Sequence, residues 1–375
     1  METAVIHLKE KAYFDNPEGD IVKPIHLTTT YYIKQIEQEN QTDRLYQRYD
    51  NQTREAVEEK LAYIEKTKYC LAFASGMAAI STVLFSTTKP NDQITAFDDL
   101  YSVTKKVFNS ILPAYNIKVN YVDLTRIDSE TIKTLAVSSK VLWLESPTNP
   151  LMKTINVQKI VEEFKSANPQ IIVVFDNTFL TPYFYNPVED GVDIVVHSAT
   201  KYLNGHSDCL AGAVMLNDQS LYEQIKFYRD TLGNPLPPFE SYLLLRGLKT
   251  LHVRMEKHQQ NCLKLIEYLK TKDFVQKILY PSLYGNLSKN VRGYGGTLSF
   301  LVSFSTDQIQ KFLSSLKIIN HAVSLGGVES LICVPYYSTH KDIPNIPPNL
   351  IRLSVGIENV EDIIQDLEQA FSKVT

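Results

Sequence analysis

The sequence predicts an α/β protein: a mainly parallel, doubly wound sheet followed by a smaller α+β C-terminal domain. Two observations carry this. Between residues 69 and 216, short continuous apolar runs alternate with segments of helical patterning. Strands covered on both faces read as unbroken apolar runs, and parallel strands need crossover helices. After residue 230 the alternation stops at Gly233-Asn234-Pro235-Leu236-Pro237-Pro238, a rigid break, and a different pattern begins.

In chain order, residues 1–45 show little apolar periodicity and read as an N-terminal extended arm. Residues 46–235 form the first domain, with strands expected at Tyr69–Ala74, Gln93–Phe97, Lys118–Val122, Val141–Leu144, Ile171–Phe175, Ile194–Val196 and Leu210–Leu216. Helical patterning lies between them at Ser81–Ser86, Leu100–Leu112 and Val157–Ala167. Residues 236–375 form the C-terminal domain. It should contain a long amphipathic helix over Lys249–Leu269, a strand at Thr297–Ser303, a helix at Thr306–Leu316 and a strand at Leu350–Val355. A last helix opens at Asn359, a good N-cap, with Glu361 and Asp362 suited to its first turn.

The composition excludes several classes of function. The chain has 375 residues, 44% hydrophobic content and a formal net charge of −4. That length and content suffice for a large core, and the charge favours neither nucleic acid nor an anionic membrane as partner. No run of ~18 apolar residues marks a membrane span. The polar, acid-bearing N-terminus resembles neither a signal nor a transit peptide, so a cytoplasmic protein is expected. Cys70, Cys209, Cys262 and Cys333 lack CxxC spacing and read as reduced buried thiols, so no metal site is expected. Gly293-Tyr294-Gly295-Gly296 precedes a strand and reads as a turn, not a dinucleotide-binding loop.

Ligands of such a sheet bind beyond the carboxyl ends of its strands. After Tyr69–Ala74, Ser75-Gly76-Met77 opens a helix: a phosphate cup, or an ordinary helix start. After Ile171–Phe175 stands Asp176, a carboxylate that needs a cationic or hydrogen-bonding partner, unless it is simply a turn residue. After Ile194–Val196 comes His197-Ser198-Ala199-Thr200-Lys201. A desolvated lysine has a depressed pKa and can form a Schiff base; a lysine snorkelling from a strand end would look the same. Ser198 and Thr200 can donate to phosphate oxygens. A phosphate cup, a lysine for an aldehyde and a carboxylate for a protonated ring nitrogen together meet the needs of pyridoxal 5′-phosphate.

From about Lys23-Pro24-Ile25 onward the chain resembles the pyridoxal-phosphate enzymes of cysteine and methionine metabolism: cystathionine γ-lyases, β-lyases and γ-synthases, and methionine γ-lyases. The motifs are AFASGMAAI (72–80), ESPTNP (145–150), VFDNTF (174–179), HSATKYLNGHSD (197–208), RGLKTLHVRMEKH (246–258) and LIRLSVGIE (350–358). The resemblance implies the type I pyridoxal-phosphate transferase fold, like that of aspartate aminotransferase, with residues 46–235 as the cofactor domain. It makes Lys201 the Schiff-base lysine and Asp176 the partner of the ring nitrogen. Gly76, Met77, Ser198 and Thr200 would hold the phosphate. Tyr101 would stack on the ring and assist proton transfer, and Asn149 would sit near the phenolic oxygen. Arg352 would grip the substrate carboxylate through a bidentate fork, with Ser324, Val323 and Lys106 also in the substrate pocket. Tyr46 and Arg48 match a motif that reaches the phosphate of a neighbouring subunit. That implies a homo-oligomer, in this family usually a tetramer built as a dimer of dimers.

The chain also departs from the family. Tyr49-Asp50-Asn51-Gln52-Thr53 replaces the usual Ser/Thr-Gly-Asn-Pro-Thr, placing a negative charge near the phosphate site. Ser102-Val103 stands where γ-lyases carry two glycines and methionine γ-lyases carry Gly-Cys. Lys106 replaces an arginine, and Val323 replaces a glutamate that binds the distal amino group of cystathionine. The expectation is a carbon–sulfur lyase acting on a sulfur amino acid within transsulfuration. The RGLKTLHVRMEKH stretch resembles cystathionine γ-lyases and γ-synthases and favours γ chemistry, whereas Val323 and Ser102-Val103 point the other way; among these, cystathionine γ-lyase is the expectation. Cystathionine β-lyase and cystathionine γ-synthase are the alternatives.

Overall fold

The computed structural model describes residues 1–7, 20–33, 44–338 and 346–375. The arm expected over 1–45 lies partly outside them. Where it is described, residues Glu2–His7 form a short helix, and residues 20–33 have no regular structure beyond one isolated bridge, Thr30 to Tyr46.

Seven strands form the large sheet: β1 (Tyr69–Phe73), β2 (Gln93–Phe97), β3 (Lys118–Val122), β4 (Val141–Glu145), β5 (Ile172–Asp176), β6 (Ile194–His197) and β7 (Gly212–Leu216). Their spatial order is β1-β7-β6-β5-β4-β2-β3. β7 runs antiparallel to β1 and β6; every other pairing is parallel. β4, β6 and β7 are buried at every position, while β3 at the edge is not. The apolar runs thus mark the strands that are covered on both faces.

The helix Gly76–Thr87 packs on β6 and β7, and the helix Gln52–Glu65 on β1 and β7. The segment expected as one helix over 100–112 is divided. An α-helical turn at Ser102–Lys106 passes into a π-helical turn at Val107–Ile111 and then a 3-10 turn at Leu112–Tyr115. Pro113 cannot donate to the ladder, so it closes the run. The proline-rich break separates two helices that the apolar pattern does not reveal. Gly233, at φ 75°, caps Gln219–Leu232, and Pro238 opens Pro238–Leu248 at a position where a missing N–H does no harm.

A second sheet follows, of β8 (Val275–Leu279), β9 (Thr297–Val302), β10 (Asn320–His321), β11 (Leu331–Cys333) and β12 (Leu350–Ser354), in the order β10-β11-β12-β9-β8. It has its own core with the helices Thr306–Ser315 and Val360–Phe371; Asn359 caps the latter by accepting from Glu361 N. The long helix Leu251–Lys270 joins the two cores. Leu251 and Met255 belong to the first; Cys262, Leu265, Ile266 and Leu269 belong to the second. No helix among the described residues is long and apolar enough to cross a membrane.

Beneath the strand ends lies a fully buried polar pair. Glu65, the last residue of its helix, lies 2.8 Å from His197 Nε2 at the end of β6, and both side chains are 0% exposed. Asn177 Nδ2 also reaches Glu65, at 3.4 Å. Removing one member leaves the other buried without its partner. Glu65→Ala is therefore expected to destabilise the fold by ~3–5 kcal/mol in denaturant unfolding. A loss below ~1 kcal/mol would show that the pair does not brace β6.

Candidate active site

The C-terminal ends of β4, β5 and β6, the N-terminus of the helix Gly76–Thr87 and the loop before β11 enclose a cavity of about 420 Å³. Its lining includes Gly76, Met77, Tyr101, Asn149, Asp176, Ser198, Thr200, Lys201, Val323, Ser324 and Arg352. Residues spread over more than 270 positions of sequence thus converge where an open α/β sheet binds ligands.

Lys201 lies in the turn after β6, half-buried, with Nζ donating to Ser324 Oγ at 2.6 Å. Burial, with a smaller push from Arg352, brings its pKa down to about 8. Its amine therefore gives up its proton far more readily than a solvated lysine. Ser324 adopts φ 88°, a left-handed conformation that is unfavourable for a non-glycine residue. That backbone presents Oγ to Lys201 and the carbonyl to Arg352 Nη2, at 2.7 Å.

Arg352 projects from β12 and is buried. Nη1 donates to Asn149 Oδ1 at 3.1 Å, while Nε is buried with no partner. An unpaired buried guanidinium N–H in a cavity wall is a ready donor for an anionic ligand.

Asp176 closes β5. Both of its hydrogen bonds, from Thr178 N at 3.0 Å and Thr178 Oγ1 at 2.5 Å, fall on Oδ1, leaving Oδ2 for a ligand in the cavity. Burial raises its pKa while the Thr178 bonds oppose the rise. Thr178 Oγ1 also accepts from Ser198 N at 2.9 Å, tying the β5 and β6 ends together. Tyr101 stands across the cavity as a phenol, its pKa raised by burial and by Glu145 and Asp176. At neutral pH Lys201 is thus the better base of the two.

Ser75 caps the helix by accepting from Ala78 N at 3.0 Å, and leaves the first amides, of Gly76 and Met77, without an intrahelical partner. A Cβ on Gly76 would lie 2.9 Å from Ser198 Cβ, so only glycine lets the helix start come this close to Ser198. Free amides, a positive helix end and a Ser198 hydroxyl with no hydrogen bond among the described residues make an anion cradle. Thr200 lines the cavity too, but its hydroxyl donates to Ala211 O at 3.1 Å and accepts from Ala211 N at 2.9 Å. Pyridoxal 5′-phosphate fits this set: a cradle for its phosphate, an accessible amine for its aldehyde and a free carboxylate oxygen for its ring nitrogen.

Three expected site residues do not line this cavity, two of which, Tyr46 and Arg48, the resemblance assigns to a neighbouring subunit's phosphate instead. Lys106 does not line the cavity; it is exposed on its short helix, and its neighbour Lys105 turns back to Asp98 O at 2.8 Å. Tyr46 and Arg48 are exposed outside the cavity, with the Arg48 guanidinium 5.5 Å from the Tyr46 ring centroid and 4.9 Å from that of Tyr49. Asp50 turns toward Lys226 Nζ, at 3.7 Å. The lining also holds residues that the sequence reading passed over, among them Glu145, Thr178, Phe179 and Leu210. Glu145 follows the apolar run Val141–Leu144, so the same strand-end argument that found Asp176 applies to it.

Residues 2–372 match the family model for Cys/Met metabolism PLP-dependent enzymes. The chain is 39% identical to cystathionine γ-lyase of Dictyostelium discoideum, over 99% of this chain and 97% of that protein. It is 38% identical to cystathionine β-lyase of Coxiella burnetii, again over 99% and 97%. The structure of cystathionine γ-synthase from Xanthomonas oryzae pv. oryzae in complex with aminoacrylate and cysteine superposes with a TM-score of 0.92. It is 32% identical and covers 100% of this chain and 98% of that one.

Proposed function

Since the chain belongs to the Cys/Met metabolism PLP-dependent enzymes, we propose that it is a cystathionine γ-lyase, cleaving cystathionine to cysteine, 2-oxobutanoate and ammonia. The observation that carries the reading as a pyridoxal-phosphate enzyme of amino acids is the meeting of Lys201, Asp176 and Arg352 in one cavity. Bound pyridoxal phosphate supplies an electron sink for the carbanion left when the substrate loses its α-proton. The chain's residues do the rest. Gly76, Met77 and Ser198 would hold the phosphate, and Thr200 would join them if its hydroxyl turned from Ala211. Asp176 Oδ2 would hold the ring nitrogen in its protonated form, and Asn149 and Tyr101, in the same cavity lining, would position the ring. Arg352 orients the substrate carboxylate, with its unpaired Nε as an added donor. Lys201 Nζ would take the proton from Cα and, once it has passed that proton on, a second from Cβ for γ-elimination, which it would give to the departing sulfur; the Ser324 hydroxyl is its resting partner.

The γ assignment rests on the RGLKTLHVRMEKH stretch. A second reading, as a β-lyase or a γ-synthase, draws on the outer wall. Val323 lines the cavity at 53% exposure where a charged partner for a distal ammonium would be expected. The exposed Tyr46 and Arg48 suit a role in a second copy's phosphate site, within a homotetramer built as a dimer of dimers.

Purified protein given L-cystathionine is expected to release 2-oxobutanoate. Pyruvate instead would make it a β-lyase. Neither 2-oxo acid, together with cystathionine formation from cysteine and an activated homoserine, would make it a γ-synthase.

A further inference from the structure

One carboxyl group of the cavity has no task in this scheme. Glu145 ends β4, is 4% exposed and pairs in register with Asp176 at the end of β5. Its Oε2 accepts from Tyr101 N at 2.9 Å, and the Asn149 amide also donates to it. No cation among the described residues forms an ion pair with it. The charged or titratable groups around it are Asp176 on the adjacent strand, Asp99 in the loop after β2, Lys105 on the helix Ser102–Lys106, and Tyr101, while Lys201 and Arg352 line the same cavity.

Two carboxyl groups at neighbouring strand ends, both buried, do not both ionise readily. Asp176 has the asset that Glu145 lacks: a hydroxyl donor, Thr178 Oγ1, besides a backbone amide on the same oxygen. A protonated ring nitrogen would hold Asp176 ionised further. Burial first, and Asp176 second, push the Glu145 carboxyl well above its ordinary range.

Resting on the reading of Asp176 as the ring-nitrogen partner, we propose that Glu145 is a positioning residue. As a neutral carboxylic acid it anchors the Tyr101 and Asn149 backbones beside the cofactor and leaves the negative charge of the pair on Asp176. The acid is then a brace for the face of the cavity that covers the ring, and its protonated state keeps a second anion away from the ring nitrogen.

The test compares Glu145→Gln and Glu145→Ala with the parent protein in three measurements: the dissociation constant for pyridoxal phosphate, the melting temperature of the apoprotein, and kcat and KM. Glutamine retains a carbonyl oxygen for the two amides and carries no charge. It is expected to keep cofactor affinity within ~3-fold and an unchanged melting temperature. Alanine leaves both amides unpaired, and should weaken the cofactor ~10-fold or more and lower kcat more than it raises KM. If Glu145→Gln loses as much affinity as Glu145→Ala while still melting cooperatively, the ionised form is required and the proposal fails. It fails equally if Glu145→Ala matches the parent. Should the alanine variant not fold, the glutamine variant alone decides. Asp176→Asn, measured alongside, reports on the underlying reading: unchanged affinity there would remove that reading, and this proposal with it.

Discussion

Lys201→Ala is expected to lower turnover by about 10⁴-fold, the upper range for loss of a positioned acid–base group, and to abolish the visible absorbance of the lysine-bound cofactor. The loss of both together separates this role from a structural one, since a lysine that only braced the turn would leave the absorbance intact. The pH dependence gives a second signature, readable without cofactor. The buried amine titrates near 8, with burial as the main cause and Arg352 next, whereas a solvated lysine titrates at ~10.4. Reaction of the apoprotein with a simple aldehyde should therefore rise through pH 8 and level off above it. The stability of the apoprotein should follow the same shift. Between pH 8 and ~10.4 the unfolded chain still holds the lysine's proton while the folded chain has released it, so stability rises with pH across that window. Lys201→Ala removes that slope. A parent and variant with parallel stability–pH curves would show that Lys201 is not desolvated.

The strands were legible because strands covered on both faces are nearly unbroken apolar runs; all seven expected runs overlap strands of the large sheet. Lys201, Asp176 and Gly76 were legible because charge or a small-residue turn at the end of such a run needs a reason. The helix Gln52–Glu65 was not, because its inward face is only partly apolar. Arg54, Lys60 and Glu65 are all buried there. Each finds a polar partner outside the helix: Arg54 the carbonyls of Tyr49 and Leu236, Lys60 the carbonyl of Val5, Glu65 the ring of His197. Apolar periodicity cannot register such partners. The helix Ser129–Ser138 was hidden for the opposite reason, since it buries only Ile132 and Ala136. Lys106 exposes a different limit. A resemblance transfers a position in the chain, whereas the side chain's direction depends on a short helix that changes type within five residues.

Arg352 should show the second large effect, because its geometry separates two contributions of one side chain. Nη1 and Nη2 are held by Asn149 Oδ1 and the Ser324 carbonyl, which fix the guanidinium plane, and Nε is buried and unpaired. A substrate carboxylate would meet a preset donor array, and a lysine could offer the charge but not the array. Truncating one member of a buried, hydrogen-bonded charge pair costs ~2–5 kcal/mol, so Arg352→Ala should lower kcat/KM by roughly 30- to 5,000-fold, chiefly through KM. Arg352→Lys should recover only part of that loss. The same positive charge also lowers the Lys201 pKa. Arg352→Ala should therefore move the aldehyde-reactivity curve of the apoprotein to higher pH, while Arg352→Lys, which keeps the charge, should leave it near the parent's. An arginine that only braces the second sheet would lower stability in both variants and leave KM unmoved. If Arg352→Lys instead matched the parent in KM, the fork would be irrelevant and charge alone would hold the substrate.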